Sequence, residues 1–168
     1  PSKAAIYPEY LPRGFVRPES ERPRIAYERM LPMLRDAGIH VVDGRAILEQ
    51  EKPRSRHALF PPGGVHWNRY SCALVLRRAW QALGEQLGRP LVELRWSEIR
   101  EDDTPARKDQ EADGADLMNA WHVGHADWKF PRPSFHTVDG YRPRLVVIGD
   151  SFWWLAVDLI SENRLAAK

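Results

Sequence analysis

Cysteine is almost missing from this chain: Cys72 stands alone among 168 residues, so no internal disulfide can form and packing must hold the fold. It sits in an apolar helical run, which predicts a buried thiol acting as a small hydrophobe. No stretch approaches the ~20 apolar residues of a membrane-spanning helix. No leader pattern is recognisable, which says nothing about where the protein resides. Charge of one sign is not in excess either. With 25 Lys and Arg against 23 Asp and Glu, the net charge is +2 and the charges are scattered. That excludes a basic stripe for nucleic acid and a polybasic membrane patch. Phosphate-binding glycine loops, heptads and repeats are lacking, so no cofactor is expected. His122 and His125 lie three apart, but Gly124 separates them and no third ligand accompanies them, so no metal site is expected.

What is present argues for a packed core. The chain is 43% hydrophobic and carries seven Trp, and it reads as one domain over 1–168. Its organising stretch is Leu145-Val146-Val147-Ile148-Gly149-Asp150-Ser151, followed by the bulky run Phe152-Trp153-Trp154-Leu155. Four aliphatic residues without a polar partner predict a strand buried on both faces, as in a parallel sheet. Gly149 ends that strand, and Ser151 then stands in a strand-to-helix turn at the carboxyl edge of the sheet, where open α/β folds place their ligand sites. A plain turn capped by Asp150 or Ser151 is the simpler reading.

Upstream, 1–23 holds five prolines and reads as an extended segment laid over the domain, with Lys3 either solvated or facing the site. A helical stripe (Ile25, Met30, Leu31, Leu34, Ala37) follows, kinked or divided by Pro32 and stopped by Gly38. Ile39–Val42 reads as a short strand that delivers Asp43 to the same edge, and Arg45–Gln50 as a helical turn or two capped by Asp43. Leu59 to Gly64 forms a rigid approach to His66, with Gly63 and Gly64 letting the backbone come close to a neighbour such as a substrate. Asn68 caps a long helix whose apolar positions run from Tyr70 to Leu87, with Gly88 as its stop. Pro90–Arg100 alternates weakly and fits a strand or an ordered loop. Glu101–Asp113 reads as a solvated polar insertion, Ala115–Trp121 as a short helix, and Trp128–Arg144 as a proline-rich loop.

Five stretches in order, Pro1-Ser2-Lys3, Tyr7-Pro8-Glu9, Val42-Asp43, Gly64-Val65-His66-Trp67-Asn68 and Gly149-Asp150-Ser151-Phe152, resemble the alginate O-acetyltransferase family of the SGNH hydrolase-like superfamily. The resemblance implies a flavodoxin-like parallel sheet flanked by helices, and a serine–histidine acetyl-transfer site. It also implies a periplasmic or other extracytoplasmic setting, a polysaccharide acceptor, and an acetyl donor or membrane acyltransferase partner. Set against that family, the chain reads as an excised domain, shortened at both ends. The family carries Asp two residues before the histidine, where this sequence has Gly64.

The chemistry expected is acyl transfer. A serine hydroxyl needs a base beside it, and His66 is the base expected for Ser151. Just ahead of a helix N-terminus, where a cation is disfavoured, a neutral imidazole is expected at rest. The Ser151 N–H and a glycine N–H from the Gly63-Gly64 turn are expected to face the oxyanion, with Gly149, Asp150, Gly64 and Trp67 lining the site. Three possibilities stay open for the acid: Asp43 or another carboxylate, a backbone carbonyl in a working dyad, or a catalytically weak polysaccharide-binding relative. An acetylesterase would use the same residues with water as acceptor.

Overall fold

The computed structural model describes residues 2–10, 26–61, 63–105, 111 and 128–167. Helices and a small antiparallel sheet make up the described fold. Ser2 accepts the Ala5 N–H and starts α1 (Lys3–Ile6), and a 3-10 turn follows at Pro8–Tyr10. Next come α2 (Ala26–Asp36), α3 (Gly44–Glu51) and α4 (Arg69–Leu87). Strands β1 (Glu93–Asp102) and β2 (Phe130–Val138) pair, and a 3-10 turn at Ser151–Trp153 leads into α5 (Trp154–Glu162).

The longest helix is built as its end signals dictate. Asn68 Oδ1 accepts the Ser71 N–H at 3.0 Å, and Gly88 closes the other end in the left-handed region at φ 62°. Every residue from Tyr70 to Leu76 is buried, so the first two turns of α4 are enclosed on all sides, whereas the last turns expose one face. Burial of Ser71 is tolerable because its hydroxyl donates to the Leu59 carbonyl at 2.6 Å. Around these turns the core gathers Ile6 and Tyr7, Leu48 of α3, Leu59 and Phe60, and Leu155, Ala156 and Leu159 of α5. Each Leu, Ile or Phe side chain among them contributes about 1.5–3 kcal/mol when fully buried. Cys72 lies in this core at 1% exposure.

Five expectations require correction. Leu145–Ile148 is not a buried strand: it has no regular structure, and Val146 and Ile148 are 91% and 93% exposed. Ile39–Val42 is likewise no strand. The sheet among the described residues is two-stranded and antiparallel, with Glu93 opposite Val138 and Asp102 opposite Phe130 and an irregularity between Trp96 and Glu98. Hence the predicted loop at 128–144 holds β2. Pro131 and Pro133 fit in it because each strand of a two-stranded ribbon keeps an outer edge where a missing N–H costs no ladder bond. Finally, Met30 of the predicted apolar stripe in α2 faces solvent rather than the core, in a helix that Pro32 does not divide.

The polar stretch after β1 also differs from its solvated reading, because Glu111 is wholly buried and its Oε1 accepts the Arg69 N–H at 2.8 Å. That bond satisfies a donor of the first turn of α4, where a carboxylate is favoured. The predicted helix at Ala115–Trp121 and the pair His122 and His125 lie outside the described residues.

Candidate active site

Ser151 is presented by a tight, self-capped turn. Asp150 is extended at φ −90°, its Oδ1 accepts the Phe152 N–H at 3.0 Å, and its carbonyl accepts the Trp153 N–H at 3.1 Å. Asp150 is thereby committed to shaping the turn. Gly149 is required for a different reason. A Cβ there would collide with the Trp153 ring, so only glycine lets that ring fold back over the turn.

His66 reaches the same place from the loop ahead of α4. Its Nε2 lies 2.7 Å from Ser151 Oγ, across 85 positions of sequence, and the imidazole is largely buried. When Ser151 donates, Nε2 is the acceptor and the ring proton sits on Nδ1. The Phe152 ring covers the imidazole at 4.6 Å between centroids, tilted by 51°. Trp67 packs edge-on to the same Phe152 and donates its indole N–H to the Phe152 carbonyl at 2.9 Å. Buried in this way, Trp67 braces the site rather than lining an open substrate surface.

The histidine loop is itself tied down. Leu59 N–H donates to Tyr7 Oη at 3.0 Å, and Asn68 donates from its side-chain amide to the Ala58 carbonyl. Lys3, read from the sequence as solvated or facing the site, is half-buried, and its Nζ donates to the carbonyls of Pro61 at 2.6 Å and Gly64 at 3.1 Å. The close approach foreseen for the two glycines is made by the protein itself. A Cβ on Gly63 would strike the Trp128 ring; one on Gly64 would lie 2.7 Å from Pro61 Cγ and 2.9 Å from the Glu111 carbonyl oxygen. The Gly64 N–H donates to Pro61 O at 3.3 Å. It is therefore spent inside the loop, and the Ser151 N–H is left as the donor of the turn with no acceptor among the described residues.

Asp43 does what its position at the head of α3 suggests. Its Oδ1 accepts the Ala46 N–H at 3.1 Å and its Oδ2 accepts the Tyr27 hydroxyl at 2.5 Å, and no hydrogen bond joins it to His66. That bond, burial and the carboxylate's charge push the Tyr27 hydroxyl up to about 12. Sequence reasoning missed Tyr27, Phe152 as a ring partner of the imidazole, and Glu111. Only Phe152 carried a signal, as the bulky residue directly after the serine. Among the described residues no group of three or more His, Cys, Asp or Glu could hold a metal ion.

The chain matches the O-acetyltransferase domain of Pseudomonas putida AlgJ in structure, with a TM-score of 0.52 and 18% sequence identity over 83% of this chain. It shares that domain's fold. The match spans 48% of the AlgJ domain, so the chain covers about half the length of its structural relative. No protein-family model and no curated protein matches the sequence. The likeness to AlgJ is thus carried by backbone architecture, and the resemblance in short motifs around His66 and Ser151 agrees with it.

Proposed function

We propose that this chain is an O-acetyltransferase that passes an acetyl group through Ser151 to hydroxyls of an exported polysaccharide. The observation that carries the reading is the 2.7 Å contact between His66 Nε2 and Ser151 Oγ, within reach for proton transfer. In the first half-reaction Ser151 Oγ attacks the acetyl carbonyl of the donor while its proton passes to Nε2. The imidazolium returns that proton to the departing group, leaving acetyl on Ser151. In the second half a sugar hydroxyl attacks the acetyl carbon and gives its proton to Nε2. Ser151 Oγ then departs and recovers that proton. The Ser151 N–H faces the developing oxyanion, a contribution of about 3 kcal/mol per donor in related chemistry.

The fold of the AlgJ domain supports this class of reaction, and an extracytoplasmic setting follows from it as part of the proposal. So does a partner that supplies acetyl, whether a soluble donor or a membrane acyltransferase. Leu145–Ile148 and Ile39–Val42, irregular in this structure, are proposed as segments suited to a flavodoxin-like parallel sheet, able to become strands only where partner strands lie beside them. Their β-branched composition and the exposure of Val146 and Ile148 support that assignment. Among the described residues no helix is long and apolar enough to cross a membrane.

The test is transfer from 4-nitrophenyl acetate with and without an oligosaccharide acceptor. Ser151→Ala and His66→Ala should each lower turnover by on the order of 10³ or more, and the double variant should be no worse than either single one. Acetate appearing on sugar identifies a transferase, and acetate released to water in the presence of acceptor identifies an esterase. Turnover by Ser151→Ala equal to that of the unaltered protein sinks both.

A further inference from the structure

The His66 loop contains the most permissive stretch of backbone near the site, the pair Gly63-Gly64, separated only by Val65 from the residue that has to be held to within a fraction of an ångström. Caps and packing fix the far side of His66, where Asn68 starts α4. On the near side, the N-terminal segment supplies the restraint. Tyr7, buried under Lys52, takes the Leu59 N–H at the start of the loop. Lys52 in turn holds the segment in place, donating to the Ile6 carbonyl at 2.7 Å and to Glu9 Oε1 at 2.6 Å. At the end of the loop stands Lys3, with two carbonyls on one ammonium.

The geometry points to Lys3 as a positioning residue of the site, whose ammonium gathers the Pro61 and Gly64 carbonyls and so fixes the backbone that delivers His66 to Ser151. Drawing the Gly64 carbonyl toward Lys3 fixes the plane of the Gly64–Val65 peptide, the last but one before His66. Bonds from a charged donor are the strong ones, and a half-buried ammonium that gives them up must find water instead. Lys3 touches neither reacting atom. Its catalytic consequence rests on the acyl-transfer reading above, but its effect on the loop does not.

The experiment therefore reads the loop and the reaction separately, in purified protein. Lys3→Met keeps the aliphatic stem and cannot donate; Lys3→Arg keeps charge and donors. In Lys3→Met, hydrogen exchange at the Gly63, Gly64, Val65 and His66 amides should quicken by about tenfold or more, with protection in α4 and α5 unchanged. Turnover of 4-nitrophenyl acetate should fall by on the order of 10²-fold, the scale of an ångström misplacement, with KM within about twofold. Lys3→Arg should restore most of both. Unchanged exchange at 63–66 in Lys3→Met overturns the assignment, as does a uniform loss of protection throughout the chain, which would make Lys3 a general staple. If Ser151→Ala already matches the unaltered protein in turnover, the acyl-transfer reading fails while exchange still decides the role of Lys3.

Discussion

Trp67 donates its indole N–H to the Phe152 carbonyl at 2.9 Å, one residue beyond the His66–Ser151 contact on both sides. The two bonds share the same separation of 85 positions, so they form a two-rung ladder between the histidine loop and the serine turn. The outer rung is part-buried, on a buried Trp67, and holds the inner rung in register.

Trp67→Phe keeps the aromatic packing against Phe152 and removes the rung. It should cost about 1 kcal/mol of stability, the low end for an acceptor left unmet, because the Phe152 carbonyl is bonded in a part-buried place. Turnover should fall further than stability does, about tenfold or more, because the imidazole loses its register with Ser151. Urea midpoints and kcat/KM measured on the same preparation check both. A variant that keeps full turnover would show the second bond to be incidental.

Gly149→Ala adds a single methyl group to the serine turn, yet that group meets the Trp153 ring. The ring cannot yield without disturbing the turn that Asp150 caps. Turnover should therefore drop by at least about tenfold, whereas Gly38→Ala, at a left-handed position with open space around it, should lower stability by about 1 kcal/mol and leave turnover alone. Equal effects of the two on turnover would contradict this.

Stability should be lost in strong alkali. Burial and then the hydrogen bond to Glu51 push the Tyr70 hydroxyl up to about 12, and the bond to Asp43 does the same for Tyr27. Both phenols hold their protons more tightly folded than unfolded, so their contribution is fully present below about pH 10 and disappears as pH rises toward about 12. Urea midpoints should fall across that window. Tyr70→Phe should lower the starting value, through loss of the Glu51 bond, and flatten the fall. A variant with the same slope as the unaltered protein would remove Tyr70 from the account.

Much of the site is legible in the sequence because its determinants are local. Asp43, Asn68 and Asp150 are read as caps from residue type and position alone, and each accepts the backbone N–H that a cap should. His66 and Ser151 are singled out because each stands just ahead of a helix. Their meeting is a long-range fact that only the resemblance anticipated. What the sequence conceals is set by distant partners. Glu111 lies within a charge run and gives no sign that the start of α4 draws it inward. Pro131 and Pro133 read as breakers because the two-stranded character of their ribbon cannot be seen locally. Leu145–Ile148 shows the reverse: its composition states what the segment is suited to, and its exposure states what lies beside it.

That bare aliphatic strip stands only two residues ahead of Ser151, joined to it through Gly149 and Asp150. The most exposed aliphatic side chains of this part of the chain therefore adjoin the turn that presents Ser151. With the strip bare, the Ser151 hydroxyl already stands 2.7 Å from His66 Nε2, so the short contact needs nothing laid along Val146 and Ile148.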